Sequence, residues 1–322
     1  MRRVRCHENG GPEVLRVETT DVPAPGPGEL LLRTEAVGVT LPVVRKVREG
    51  GLALPASLGG EVAGEVVALG PEVTGFAVGD RVTGVCFADG YAEHSVLHSA
   101  MASPIPEHAT AVDAVALVRS GLVALGAYEA ARPVEGESVL VTAAASGVGH
   151  LAVQLAKARG ARRVVGAVGS AAKADFVRSL GADEVVTYEE LNGGLNGGPD
   201  DGAPGIEPVD IVLDAVGGEL LSPALAALAP GGRLVAYSSG GGTFQAYDLL
   251  VGAKAVIGFQ MALIARHRPA LMEQWRHELW ELHAAGRVRA RVHAELPLER
   301  AAEAHGIIEA RVNTGKVVLR PV

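Results

Sequence analysis

The stretch VTAAASGVGHLAVQLA (residues 141–156) reads as an apolar strand, a turn of small residues and a helix. In a G-x-G-x-x-G turn the first glycine permits a tight bend and the second lets backbone approach a pyrophosphate. The third lets the helix pack on the strand. Here Ala144 and Ser146 stand at the first two positions and Gly149 at the third, with Gly147 just before it. Ala145, Ser146, Gly147, Val148 and Gly149 form the candidate phosphate cradle. Small side chains leave clearance, the Ser146 hydroxyl is a donor, and the helix beyond offers unpaired N–H groups and partial positive charge. A turn of small residues is equally a close-packing device, so its place in the chain decides between the two readings.

That place is the head of a series. After ESVLVTA come the helix GHLAVQLAKARG, the strand RRVVGAV, the helix SAAKADFVRSLG and the strand DEVVTY. Past a Gly/Pro/Asp-rich gap (192–208), which reads as a mobile surface loop, follow VDIVLDAVG, GELLSPALAAL, GGRLVAYSS and KAVIGF. Strands alternating with helices predict βαβ units and a doubly wound parallel sheet, an α/β Rossmann fold. The first third differs. ELLLRTEAVGV (29–39), GEVAGEVVALG (60–70) and AVGDRVTG (77–84) are closely spaced strands with Pro/Gly turns, which predict a compact β-barrel-type domain. A long amphipathic helix and a helix-plus-strand close the chain. The expected organisation is a first domain over 1–120, a dinucleotide-binding domain over 121–262, and a return to the first domain over 263–322.

The choice of dinucleotide turns on the end of the second strand of the series. An NAD site carries Asp or Glu there, about 20 residues past the first glycine, on the ribose 2′-hydroxyl. This chain has Val168 and Gly169, followed by Ser170 and Lys173, with Tyr188 ending the third strand. No carboxylate stands there to repel a 2′-phosphate, and hydroxyl, ammonium and phenol suit a phosphate dianion. The expected cofactor is NADPH. The alternative for Lys173 is a solvated cation on a helix face.

Bulk composition sets outer bounds. At 322 residues, with 48 % hydrophobic and 20 % charged residues, the chain has length and apolar content for two globular domains. A net charge of -8 argues against a nucleic-acid partner. Cys6 and Cys86 are the only cysteines, too few for a disulfide framework, so a reducing, cytoplasmic setting is the expectation. The apolar stretch 109–131 is interrupted by Asp113, Arg119 and Glu129, and no membrane span is expected.

Six stretches then arrive in order: GGPEVLRV (10–17), LGGEVAGEVVALGPEVTGFAVGDRV (58–82), VTAAASGVGHLAVQLAKARGA (141–161), VGSAAKADFVRSLGADEVVTY (168–188), DAVGG (214–218) and LPLERAAEAHGIIEARVNTGKVVL (296–319). Together they resemble the zinc-independent quinone oxidoreductase, or zeta-crystallin-like, branch of the medium-chain dehydrogenase/reductase superfamily. The resemblance implies a GroES-like catalytic domain, a Rossmann domain, a cofactor cleft between them and a homodimer joined along the Rossmann sheets. It further implies that Ser238, Ser239 and Gly240 present backbone to the nicotinamide carboxamide. Arg311 stands where a basic residue meets the cofactor phosphates, or is an ordinary helix-terminal cation.

Zinc-dependent relatives offer a contrast. Their metal needs Cys, His or carboxylate ligands. Where they carry a Cys this chain has Thr40, and where they carry GHE it has Gly59, Gly60 and Glu61. No metal site is expected. The chemistry implied is hydride transfer to a small-molecule quinone or α,β-unsaturated carbonyl, whose developing oxyanion needs only hydrogen-bond donors. The branch's Asn and Asp after the second long strand are replaced by Thr40 and Val43, its Tyr by Arg45 or Lys46, and a pocket Thr by Val123. Thr40 is either a donor or a wall residue, and Arg45 and Lys46 either attract an anionic substrate or lie on the surface. Alternatives at this stage are an enoyl-thioester reductase and a non-catalytic NADPH-binding protein.

Overall fold

The structure, a computed structural model, describes residues 1–193, 206–237 and 240–321. In chain order the first elements are β1 (Arg2–Cys6), β2 (Leu15–Thr19), β3 (Glu29–Val39), α1 (Leu41–Glu49), β4 (Ala56–Ser57) and β5 (Gly60–Leu69). Next come β6 (Arg81–Cys86), β7 (His94–His98), β8 (Ser103–Pro104), α2 (Ala111–Ala130), β9 (Ser138–Val141), α3 (Gly149–Ala158) and β10 (Arg163–Val168). They are followed by α4 (Ala174–Ser179), β11 (Glu184–Thr187), α5 (Tyr188–Gly193), β12 (Val209–Asp214), α6 (Leu221–Ala226) and β13 (Leu228–Ala236). The chain ends with α7 (Ala246–Gly252), β14 (Ala255–Gly258), α8 (Met261–His267), α9 (Pro269–Ala284), β15 (Val292–Pro297), α10 (Ala301–Glu309) and β16 (Lys316–Arg320).

Two compact units result. One comprises Met1–Arg119 with Ala290–Val322, the other Ser120–Arg289. The first is built on a seven-stranded sheet ordered β15-β16-β3-β5-β6-β8, with β7 also on β3, and on a small sheet β2-β1-β4. All strand pairs in the larger sheet are antiparallel except β15 with β16. Leu30, Leu32, Val37, Val62, Val82, Leu97, Val317 and Leu319 fill its core. Tyr91 is fully buried there, its hydroxyl 3.2 Å from His305 Nε2, and the two rings meet edge to face. Burial pushes the His305 imidazole down to about 4.

The second unit holds a six-stranded, wholly parallel sheet ordered β11-β10-β9-β12-β13-β14. That is the doubly wound order the βαβ series predicts. Strands of such a sheet are covered on both faces and read as unbroken apolar runs. SVLV of β9 is buried throughout. Strand order reverses between β9 and β12, so the crevice beyond their carboxyl ends is the topological switch point where such sheets take ligands.

The boundary expected at 262 is corrected by the structure. The segment 263–289 belongs to the second unit and the return begins at Ala290. The reason is packing of α9 on α2. A Cβ at Gly121 would lie 3.0 Å from Leu279, and one at Gly126 would strike Phe259 and sit 2.8 Å from Trp275. Two glycines on α2 thus admit large side chains from α9. By length and composition α2 alone among the described helices is apolar enough to cross a membrane, yet 78 % of its most apolar window is buried inside the chain. The gap at 192–208 falls mostly outside the described residues.

Candidate functional site

In the second unit the site grows from the turn after β9. Ala143 adopts the left-handed region at φ 48°, one residue before the position the fingerprint reserves for its first glycine. Its N–H donates to the Tyr188 hydroxyl at 3.1 Å. Ala144, fully buried, packs against β10 at Gly166, where an added Cβ would sit 3.1 Å from the Ala144 methyl. Gly149 is the position where a side chain is forbidden. A Cβ there would collide with the Ala143 carbonyl oxygen and stand 2.9 Å from Ala144 Cα. The Ser146 hydroxyl accepts from Gly149 N–H at 3.0 Å, capping α3 and leaving its own proton for an outside acceptor. Ala145 is buried, while Ser146, Gly147 and Val148 are half-buried at the rim.

The neighbouring strand ends converge on the same turn. Gly169 and Ser170 are exposed beyond β10, and a Cβ on Gly169 would lie 3.5 Å from the Tyr188 ring. The Ser170 hydroxyl accepts from Ala172 N–H at 3.4 Å. Lys173 follows, half-buried, its ammonium lowered by burial. At the switch point the buried Asp214 accepts from Thr142 Oγ1 at 2.9 Å, from Val216 N–H at 3.1 Å and from Gly217 N–H at 2.9 Å. It therefore caps the loop after β12. Gly240 lies against that loop, where a Cβ would collide with the Val216 carbonyl. Ser238 and Ser239 lie outside the described residues.

Tyr237, just past β13, carries a buried hydroxyl with no hydrogen-bond partner among the described residues. Burial, with Asp214 and Tyr188 nearby, raises its phenol well above the ordinary value. An orphaned buried hydroxyl is rare in a folded chain and calls for a partner supplied from outside. A dinucleotide at the switch point fits these residues. The fit combines a cradle that a side chain would fill, a helix N-terminus, an unpartnered phenol and no carboxylate at the end of β10.

In the first unit Thr40 follows β3 in extended conformation and opens α1, without its side chain capping the helix. Arg45 and Lys46 are successive residues of α1, about 100° apart around the axis, and so do not share a face. Arg45 is half-buried and Lys46 exposed. Arg311 is exposed after α10 at φ 52°, a helix-terminal position. Val123, half-buried on α2, offers no polar atom.

Sequence reasoning missed a cluster beside Thr40. Glu61 Oε2 lies 2.5 Å from Lys316 Nζ, and Glu61 Oε1 accepts from Arg119 Nη1 at 2.9 Å. Glu61 and Lys316 are buried. Gly38 makes space, since a Cβ there would stand 2.7 Å from Lys316 Cε. Burial lowers the Lys316 ammonium, Glu61 pulls it back up, and Arg119 adds to the lowering. Both Glu61 oxygens are thus held by cations. No group of three or more His, Cys, Asp or Glu able to hold a metal occurs among the described residues. The donor set at Thr40, Gly60 and Glu61 does not fit zinc.

Comparison with known proteins agrees with this division. Residues 26–107 match the alcohol dehydrogenase GroES-like domain, and residues 147–276 match the zinc-binding dehydrogenase family. Mouse quinone oxidoreductase is 33 % identical over 99 % of this chain and 97 % of its own. The quinone oxidoreductase structure from Pseudomonas syringae pv. tomato superposes with a TM-score of 0.86 at 31 % identity, covering 99 % of both chains. A mycobacterial structure complexed with NADPH superposes with a TM-score of 0.88 at 31 % identity over 100 % of both. With a GroES-like unit, a 3-2-1-4-5-6 parallel sheet and full-length likeness above 30 % identity, this chain belongs to the quinone oxidoreductase family of the medium-chain dehydrogenase/reductase superfamily.

Proposed function

We propose that this chain is an NADPH-dependent, zinc-independent oxidoreductase that reduces a quinone or an α,β-unsaturated carbonyl compound. The observation that carries the reading is the turn after β9. Gly149 keeps backbone close at the switch point, and no carboxylate stands at the end of β10. The NADPH-bound mycobacterial relative supports it. The turn backbone at 145–149 and the start of α3 face the pyrophosphate, and Ser146 keeps a proton to donate. Ser170, Lys173 and Tyr188 face the 2′-phosphate. The Tyr237 hydroxyl, Gly240 and the stretch around it meet the nicotinamide end, with Arg311 a further phosphate contact.

Bound NADPH supplies a hydride. The chain supplies position and donors. Thr40, whose hydroxyl makes no hydrogen bond to the described residues, is the donor to the substrate oxygen as negative charge develops there. Arg45 and Lys46 attract anionic substrates, and Val123 is wall. Water donates the final proton. Glu61, with both oxygens engaged, neither ligates a metal nor acts as base. The partner we propose is a second copy of the chain. β14 is an edge strand, and Tyr247, Leu250 and Val251 on the preceding α7 are 69–75 % exposed. An apolar patch beside an open edge is a pairing surface. Light scattering is expected to give twice the chain mass, and Leu250→Lys to give the single chain. A wild-type monomer would refute the dimer.

Fluorescence titration with the two reduced nucleotides and NADPH oxidation against quinones, enones and enoyl thioesters test the function. NADPH is expected to bind at least about tenfold tighter than NADH, roughly one charge-assisted contact's worth. Turnover is expected with quinones or enones. Equal nucleotide affinities end the cofactor assignment. Turnover confined to thioesters selects the enoyl-thioester reductase, and tight binding without any turnover selects a non-catalytic protein.

A further inference from the structure

Asp214 is a buried carboxylate without a cation. It ends β12, is 2 % exposed, and takes hydrogen bonds from Thr142 Oγ1 and from the Val216 and Gly217 N–H groups. It accepts in all three contacts and donates in none, as a carboxylate does. Among the described residues it forms no ion pair. Glu61, the other buried acid, is by contrast held by Lys316 and Arg119. Dipoles soften the cost of burying a charge, but a buried charge is ordinarily matched by an opposite one.

Strand order says which cation could match it. The sheet runs β11-β10-β9-β12-β13-β14, with the switch point between β9 and β12. A dinucleotide across such a crevice lays one nucleotide on each half of the sheet. The residues proposed for the 2′-phosphate, Ser170, Lys173 and Tyr188, follow β10 and β11, so the nicotinamide half falls on the side of β12 and β13. Tyr237 N–H donates to the Asp214 carbonyl at 3.1 Å, which sets the end of β13 beside the end of β12. Burial, and after it Asp214, raise the Tyr237 phenol, so the field of the carboxylate extends over the end of β13.

We propose that Asp214 sets the redox preference of the bound nucleotide, its charge stabilising the oxidised, cationic nicotinamide over the reduced, neutral one. This rests on the function proposed above and adds to it a residue that favours hydride donation. Loss of a hydride removes two electrons and a proton from the dihydronicotinamide and leaves its ring positively charged. The acceptor gains that hydride, and a proton from water completes its reduction. A fixed anion lowers the free energy of the cationic ring and has little hold on the neutral one. Repulsion between Asp214 and the nucleotide's phosphates acts on both forms alike and cancels in their ratio. The bound couple is therefore more strongly reducing than it would be beside a neutral residue.

The test is equilibrium binding of NADP+, NADPH and adenosine 2′,5′-bisphosphate, which lacks the nicotinamide half, to the full chain. Wild type is expected to bind NADP+ within about threefold of NADPH or tighter. Asp214→Asn keeps the shape and removes the charge. It is expected to raise the ratio of the NADP+ to the NADPH dissociation constant by about tenfold, or about 30 mV in the potential of the bound two-electron couple. Thr142→Val removes a hydrogen bond to Asp214 but leaves the charge, so it is expected to weaken both forms alike. A wild type that favours NADPH by more than about threefold overturns the proposal, and this arm stands even where the Asn variant does not fold. A ratio shift below about threefold in folded Asp214→Asn, or one as large in Thr142→Val, overturns it too and leaves Asp214 as the cap of its loop. If the bisphosphate and NADPH still bind, the inference falls alone. A wild type that binds none of the three removes the parent reading with it.

Discussion

Gly149→Val raises the NADPH dissociation constant by about 100-fold or more, equivalent to about 2.7 kcal/mol of lost binding. The three atoms nearest the added Cβ are all backbone. It collides with the carbonyl oxygen of Ala143 and stands 2.8 Å from that carbonyl carbon and 2.9 Å from Ala144 Cα. No flexible side chain is present to swing away, so either the turn or α3 must move. Moving the turn breaks the Ala143 N–H bond to Tyr188 and the Ser146 cap on Gly149. Both hold the N–H groups that we propose face the phosphates. Gly149→Ala introduces the same atom with less bulk and is expected to lose affinity in the same direction, giving a milder variant should valine prevent folding. Ser146→Gly serves as the comparison, because glycine there follows the fingerprint and removes the cap and the hydroxyl donor without adding bulk. Fluorescence titration beside a melting curve reads the result. A folded Gly149→Val that binds NADPH within about threefold of wild type would show that the turn is only a packing device.

That turn was legible in sequence because its chemistry is local. A strand, small residues and a helix within sixteen positions announce themselves, and five further strands with intervening helices repeat the rhythm. Legibility fades where backbone conformation contradicts residue preference. Ala143 lies at φ 48°, a region alanine rarely occupies, so the bend falls one residue earlier than the fingerprint suggests. The domain boundary was misplaced for a different reason. The apolar face of α9 has no address in the sequence, and only the contacts at Gly121 and Gly126 reveal that it packs on α2.

The charged cluster was invisible because its members are far apart in the chain. Arg119 looks like an interruption of an apolar stretch until Glu61, 58 positions away, is placed against it. Lys316 is 255 positions from the same carboxylate. Tyr237 reads as an ordinary strand-end aromatic, and its orphaned hydroxyl exists only in three dimensions. Local motifs point to the turn after β9, whereas the charged cluster is made by long-range pairing.

The cluster also makes the largest stability prediction. Glu61→Gln is expected to destabilise the chain by about 3–5 kcal/mol at pH 7, the range for removing one partner of a buried ion pair. The loss comes from Lys316, which stays buried without the Glu61 carboxylate, and from Arg119, which loses the same carboxylate. Burial already holds the Lys316 ammonium below its ordinary 10.5, and Glu61 is the force opposing that shift. Without Glu61 the folded-state value falls further. Between the folded value and about 10.5 the unfolded chain then binds more protons than the folded one, so stability rises with pH across that interval. The variant's deficit should therefore shrink from pH 7 towards pH 9.5, as Lys316 sheds its proton in the fold and the charge needing a partner disappears. Removing both charges, as Glu61→Met with Lys316→Met, is expected to recover most of the loss, because the fold needs the pair balanced and not the charges themselves. Urea unfolding at several pH values reads all three. A deficit below about 1 kcal/mol, or one that stays constant with pH, would mean that water reaches Lys316 and that the guanidinium of Arg119 is not held by a buried anchor.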